Sequence, residues 1–338
     1  MEINLVQING EEGGGQIFRS ALALSMLTGK TFNIDNIRKR RPKPGLQPQH
    51  LEALHAAHQI SNAKIEGCVL NSTMVSFVPG DIKSGHYEFR IKTAGSISLL
   101  LHAVYLPLAF AGGSSELLFQ GGTHVSWSPT FNYLQECWLW FMKQIGLNIE
   151  LELVKPGFYP HGGGIVKAYI SPVTGIKPLK LTQRGDLRKI KIYSAQSNLS
   201  NDVARRQADA AHKILNSFLN SSGNIEVQCE ALPSFSRNTT IALTAVFEHS
   251  VCCFTELGEK GKPAERVAAD ACAKLIDFLK SDATVDEHMS DQLLLPLSFS
   301  SFLSEFTCNK ATAHFQTNFD TISKFLGTPP NVSVKISP

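Results

Sequence analysis

The chain has 338 residues, of which 43% are hydrophobic and 18% charged. That composition excludes a disordered chain, and the length excludes a small stapled scaffold in favour of two domains or one large one. With 32 Lys and Arg against 29 Asp and Glu the net charge is only +3, too weak to indicate broad coating of a polyanion, so an anion-binding role needs basic residues gathered locally.

The first 180 residues read as alternating strands and helices. Residues 3–8 alternate apolar and polar as a strand does, and glycines 13–15 lead into 16–27, where Ile17, Ala21, Leu24 and Leu27 have helical spacing. Residues 31–37 are β-like, 47–60 form a second helix with Leu51, Leu54 and Ala57 on one face, and short strands follow at 63–68, 74–78 and 87–91. The scheme then recurs: an apolar helix from Gly95 to about 111, a strand at 117–120, a helix at 129–145, and strands at 147–154 and 165–170 around a second triple glycine, 162–164.

Between about 184 and 280 the character changes. A strand at 189–193, an Ala-rich amphipathic helix at 201–220, strands at 225–232, 239–247 and 252–257 and a helix at 263–279 make a small α+β module. Residues 285–297 then resume a helix in the style of the first part. The expectation is an inserted domain at 184–280 that interrupts a core made of 1–183 and 281–338.

Seven cysteines show no C-x-x-C pair and no zinc-like spacing, which points to reduced core thiols. The first residues lack a basic stretch followed by an apolar one, so no signal peptide is expected. The most apolar stretch, 96–112, is interrupted by His102 and is too short to span a membrane. The expectation is a soluble cytoplasmic chain. His55 and His58, three apart without an acidic partner, read as helix-surface residues.

Three stretches can carry chemistry. In 12–20 (EGGGQIFRS), glycines at a strand-to-helix junction let a ligand approach the backbone and expose helix N–H groups to an anion. The spacing is neither a dinucleotide fingerprint nor a P-loop. Glu12 and Arg19 offer a metal ligand and a phosphate clamp, beside the plainer reading of surface charges. In 38–45 (RKRRPKPG), five of the six residues from 38 to 43 are cationic, and Gln49 and His50 follow in the next helix. Such a loop suits phosphate contacts from several directions, beside the plainer reading of a solvated basic loop. In the tail, 287–292 (EHMSDQ) and 311–318 (ATAHFQTN) place His288 and His314 among small and hydroxyl residues, where a histidine serves as nucleophile, base or satisfied core residue.

Together these stretches resemble the RNA 3′-terminal phosphate cyclase family along nearly the whole chain. The carrying segments are 12–20, 37–51 (IRKRRPKPGLQPQHL), 93–96 (TAGS), 121–123 (GGT), 157–164 (GFYPHGGG), 258–260, 291–296 (DQLLLP) and 314–318 (HFQTN). The resemblance implies an α+β fold with α/β-type repeats: a large domain of repeated units, each with two helices on a four-stranded sheet, and a small inserted α/β domain. It implies ATP and a divalent cation (Mg or Mn), and as partner an RNA ending in a 3′-phosphate. A histidine takes AMP from ATP, the AMP moves to the RNA 3′-phosphate, and the vicinal 2′-hydroxyl closes a 2′,3′-cyclic phosphate.

By position, the resemblance makes His314 the nucleophile and Glu12 the metal-site residue. Arg19, Arg38, Arg41, Gln49 and His50 then line the site for ATP phosphates or the RNA end. His288, Met289, Ser290, Asp291 and Gln292 fall on the nucleotide-contact segment, with Pro129 against the adenine. His102 stands where a nucleotide-contacting Gln is usual, and His288 replaces a Tyr. The alternatives are a non-catalytic cyclase-like protein of ribosome assembly, which lacks the nucleophilic histidine, and a plain RNA-binding module.

Overall fold

A computed structural model describes residues 5–11, 14–221 and 223–337. Strand β1 (Leu5–Asn9), helix α1 (Gly14–Thr28), β2 (Thr31–Asp35), α2 (Pro48–Ser61), β3 (Lys64–Glu66) and β4 (Val75–Val78) make the first unit. Its sheet runs β1-β2-β4-β3, with β1 parallel to β2 and the remaining pairs antiparallel. β2 ends at Asp35 rather than 37 because Asn36 and Arg38 take left-handed backbone (φ 52° and 55°), which no strand accommodates.

The second unit repeats this topology. It comprises β5 (His86–Arg90), α3 (Ile97–Ala109), β6 (Ser115–Gly121), a helix over 131–144, β7 (Ile149–Lys155) and β8 (Gly164–Ile170). The sheet order is β5-β6-β8-β7, again with one parallel pair followed by antiparallel ones. The 131–144 helix starts at α4 (Phe131–Tyr133), widens into a π turn at Leu134–Trp138 and closes as α5 (Leu139–Gln144). Both units bury their helices against their sheets, and Phe32, Phe77, Phe119, Phe141 and Trp138 are fully enclosed.

The third unit departs from the four-stranded expectation. β9 (Lys180–Leu181) is followed by the interrupting module, which contains β10 (Leu187–Ser197), α6 (Asn201–Phe218), β11 (Ile225–Ala231), β12 (Asn238–Phe247), β13 (Val251–Leu257) and α7 (Ala264–Lys280). The unit then resumes with α8 (Glu287–Leu297), β14 (Ser304–Cys308), α9 (Ala313–Leu326) and β15 (Val332–Ile336). Its sheet has three strands, β15-β14-β9, all parallel, because each pair is joined by a crossover rather than a hairpin.

The interrupting module has its own sheet, β11-β10-β12-β13, and its two faces have different partners. Ile190, Ile192, Ile241, Leu243 and Ala245 pack beneath α6 and α7, while Ala242, Val251 and Cys253 on the opposite face join the main core. This is the period-two alternation of a strand buried on both sides. Lys191 pairs with Glu136 at 2.8 Å across the same boundary. All seven cysteines are free thiols, and Cys229 is exposed rather than part of the core. No helix among the described residues is long and apolar enough to cross a membrane.

The first-unit core supplies a direct stability test. Phe77 is fully buried on β4 and stacks on Phe32 with ring centroids 5.5 Å apart. Phe77→Ala removes the ring and leaves a cavity, for an expected loss of about 3–5 kcal/mol in denaturant unfolding; a loss under ~1 kcal/mol would contradict this packing.

Candidate active site

Three helix N-termini meet at one place. α1 opens on Gly14 and Gly15, and the groups above them are cationic or hydrogen-bond donors. A Cβ on Gly14 would lie 3.3 Å from Arg41 Nη2; one on Gly15 would lie 2.7 Å from His50 Nε2 and 2.9 Å from Arg19 Nη1. Gly14 also has φ +57°, a conformation that favours glycine there. No acidic residue occupies the first turn of α1, α2 or α9, so their positive ends remain uncancelled by their own side chains.

The arginines divide the work. Arg19 sits on α1, and burial pulls its guanidinium down to about 10; no carboxylate among the described residues pairs with it. Arg38 donates from Nη1 to the carbonyls of Lys43 (2.8 Å) and Gly45 (3.2 Å), which folds the basic loop back on itself. Burial, then the charge of Arg41, lowers its pKa. Arg41 is exposed and lies over Gly14. Arg40 pairs outward with Glu11 at 3.3 Å.

His50 shows how local sequence fixes a proton. The backbone N–H of Gln47 donates to His50 Nδ1 at 2.9 Å, at the start of α2. Nδ1 therefore acts as acceptor, and the neutral ring carries its hydrogen on Nε2, the atom that faces Gly15. Burial, reinforced by Arg19 and Arg38, pushes His50 down to about 3, so it is a neutral donor across the physiological range.

His314 lies in the first turn of α9, exposed, after the helix cap Thr312. Its pKa is lowered by burial of part of the ring, then by the charges of Arg41, Arg19 and His288. The ring is thus held toward its neutral, nucleophilic form.

A chain of hydrogen bonds fixes where α9 begins. The Thr312 hydroxyl accepts from the N–H of Phe315 (3.0 Å) and donates to the Asp291 carboxylate (2.8 Å). Asn318 Nδ2 donates to the Asp291 carbonyl at 3.1 Å, and the Ser20 hydroxyl donates to Asn318 Oδ1 at 2.6 Å. α1, α8 and α9 are tied together at the level of the site. Asp291 is pushed up to about 7, chiefly by burial.

The other expected residues occupy the surroundings. Gln49 packs its Cβ toward Gly95 (3.4 Å from a Cβ there), and the Pro129 carbonyl accepts from Ser98 Oγ at 2.7 Å. His102 lies on α3 within reach of the Arg19 charge, and burial holds it down to about 3. Its Nε2 is buried without a hydrogen-bond partner, and its ring packs on Trp138 with centroids 5.6 Å apart. On α8 His288 is exposed and Glu287 and Gln292 partly so; Met289 and Ser290 are fully enclosed, the Ser290 hydroxyl donating to the Glu287 carbonyl. Glu12 lies outside the described residues. Among those described, no group of three or more His, Cys, Asp or Glu gathers in a way that can hold a metal ion.

Several contributors escape the sequence. Asp286 is buried at the cap of α8, accepts from the backbone of His288 and Met289 and from the Tyr133 hydroxyl, and has a raised pKa. Ser20, Asn318 and Thr312 position α9; only the Thr before a helix start gave a local signal. His55 and His58 are exposed on α2, as expected of helix-surface residues, but not without an acidic neighbour: His55 sits 4.0 Å from Glu52 one turn earlier, and His58 Nδ1 is 2.8 Å from the Ala63 carbonyl.

An α+β protein of repeated units, with cations and helix N-termini converging beside a neutral histidine, defines the class of enzymes and binders that handle phosphorylated substrates. The chain matches the family described as RNA 3′-terminal phosphate cyclase over residues 10–332, and it belongs to that family. It is 40% identical over 324 residues to the RNA 3′-terminal phosphate cyclase of Thermococcus kodakarensis, covering 95% of this chain and 93% of that one. It is 39% identical to that of Methanopyrus kandleri (98% and 96% covered) and 40% identical to that of Sulfurisphaera tokodaii (98% and 96%).

The raised Asp291 has a stability signature. In the window from its ordinary pKa near 4 to about 7, the folded state holds a proton that the unfolded state has released. Stability attributable to this group is therefore fully present at low pH and falls as pH rises through that window. Asp291→Asn should flatten the pH dependence of unfolding between pH 4 and 7; a mutant whose slope there matches the wild type contradicts this.

Proposed function

We propose that this protein converts an RNA 3′-terminal phosphate into a 2′,3′-cyclic phosphate at the expense of ATP. The observation that carries the reading is the placement of His314: an imidazole in the first turn of α9, held toward its neutral form by burial of part of the ring and by the charges of Arg41 and Arg19. Family membership and the names of the relatives support it.

In the proposed sequence a neutral His314 ring nitrogen attacks the α-phosphorus of ATP, and diphosphate leaves. The AMP bound to His314 then moves to an oxygen of the RNA 3′-phosphate, which frees the histidine. The vicinal 2′-hydroxyl attacks the activated phosphorus, loses its proton, closes the ring and expels AMP. Arg19 and Arg41 hold the phosphate oxygens as charge builds on them, with their forked donors suited to bidentate contact. Arg38 shapes the loop that carries Arg41. His50 donates from Nε2 to an anion over Gly15. Gln49 borders the path of the RNA end. His102, Pro129, His288 and Gln292 border the nucleotide, while Met289, Ser290 and Asp291 support α8 from within.

A divalent cation, Mg2+ or Mn2+, belongs to this proposal with Glu12 as its protein ligand. Among the described residues no group of three or more His, Cys, Asp or Glu makes a protein cage for one. The partition into a core (1–183 and 281–338) and an insert (184–280) is likewise proposed; the separate apolar cluster beneath α6 and α7 supports it.

Incubation with ATP labelled at the α-phosphate should place acid-labile label on the protein, and His314→Ala should abolish it. An unlabelled wild type, or an equally labelled His314→Ala protein, overturns the assignment and favours a non-catalytic RNA binder.

A further inference from the structure

Beside the cationic site lies a second feature that the reaction does not use. A cleft of about 340 Å3 is lined by Arg90, Lys92, Gln120, His161 and Gly163 over the side chain of Ile91. Its floor is continuous with the site. A Cβ on Gly95 would lie 2.7 Å from Ile91 Cγ2 and 3.4 Å from Gln49 Cβ, and one on Gly162 would lie 2.8 Å from Ala94 Cα. The segment 93–95 is therefore a shared wall, with the phosphate site on one side and the cleft on the other.

The far rim of the cleft comes from the interrupting module. Phe235 is 69% exposed, and it stands against Gly163, 3.7 Å from a Cβ there. Lys155 Nζ lies over its ring at 3.8 Å to the centroid. The neighbouring Ser236 hydroxyl is 3.1 Å from His161 Nδ1 and donates to the Phe158 carbonyl at 2.9 Å, which fixes the loop that presents Phe235. Arg237 beside it is exposed, and so is Tyr159. Arg90 is paired with Glu88 at 2.9 Å, while Lys92, Lys155 and Arg237 add positive charge.

We infer that this cleft and Phe235 form a track for the single-stranded nucleotides upstream of the RNA 3′-end. Phosphates lie along Lys92, His161 and Arg237, and an unpaired base stacks on the exposed face of Phe235. A cationic groove with a free aromatic platform is what single-stranded nucleic acid uses, and it is indifferent to sequence because every base has a π face. A duplex offers no unstacked base to such a ring. The inference gives the interrupting module a role in substrate binding, and it rests on the proposed function for the identity of the RNA end.

The test compares two 3′-phosphorylated single strands, a dinucleotide and a decamer, by fluorescence anisotropy on full-length protein. The wild type should bind the decamer more tightly. Phe235→Ala should weaken the decamer by about tenfold while the dinucleotide keeps its affinity, since loss of one stacked base is the change. Lys155→Gln and Arg237→Gln should weaken the decamer at low salt and make its binding less sensitive to added salt than that of the wild type. Equal affinity of wild type for both strands, an equal loss for both in Phe235→Ala, or displacement of the decamer by an acidic peptide but not by unlabelled RNA overturns the track. The labelled-ATP assay is run in parallel on the wild type. If it shows no adduct, the proposed function fails, while the decamer-to-dinucleotide ratio still decides the track.

Discussion

The site depends on a positive charge kept inside the protein without a described carboxylate to cancel it. Arg19 sits at the start of α1 against Gly15, and its field is felt by His50, His102 and His314. Holding such a charge in a partly dry place is unfavourable in isolation. It is tolerable where an anion of substrate is the partner, because the same low-dielectric surroundings that penalise the lone cation strengthen its attraction for a phosphate. The consequence reaches the chemistry: histidines near Arg19 are poor proton acceptors, so they serve as neutral donors or nucleophiles rather than as further cations.

Positioning is handled separately from charge. The start of α9, and with it His314, is set by Thr312 on Asp291, Asn318 on the Asp291 carbonyl, and Ser20 on Asn318. These are short polar contacts in buried surroundings, where a missing partner leaves an unsatisfied group. Three helices from opposite ends of the chain are thereby locked at the level of Arg19 and His314. The exposed features, Arg41 and His314, can then respond to substrate without the frame moving.

Much of this was legible in the chain itself. The strand-helix alternation of the first two units, the interrupting module and the basic loop all follow from apolar period, glycine placement and local charge density. The third unit was legible only in α8, expected at 285–297 and found at Glu287–Leu297. β14 buries Ser304, Phe306 and Cys308 on its inner side, so it carries no strong apolar alternation, and β9 is two residues long. The contact of Ser20 with Asn318 joins residues 298 positions apart, and no local pattern reports it. The role of His50 was half legible: its place beside the basic loop suggested a phosphate contact, but its tautomer needed the N–H of Gln47. The Glu52–His55 pair has the i,i+3 spacing of helix neighbours, a local signal present in the sequence itself.

His314 is held toward a neutral imidazole by partial burial and then by the cations around it. An NMR titration of its ring, assigned by comparison with His314→Ala, measures this directly. The midpoint should lie below the ordinary 6.5, and Arg41→Gln should move it up toward that value. A midpoint at or above 6.5 that Arg41→Gln leaves unmoved would contradict the electrostatic basis of the site.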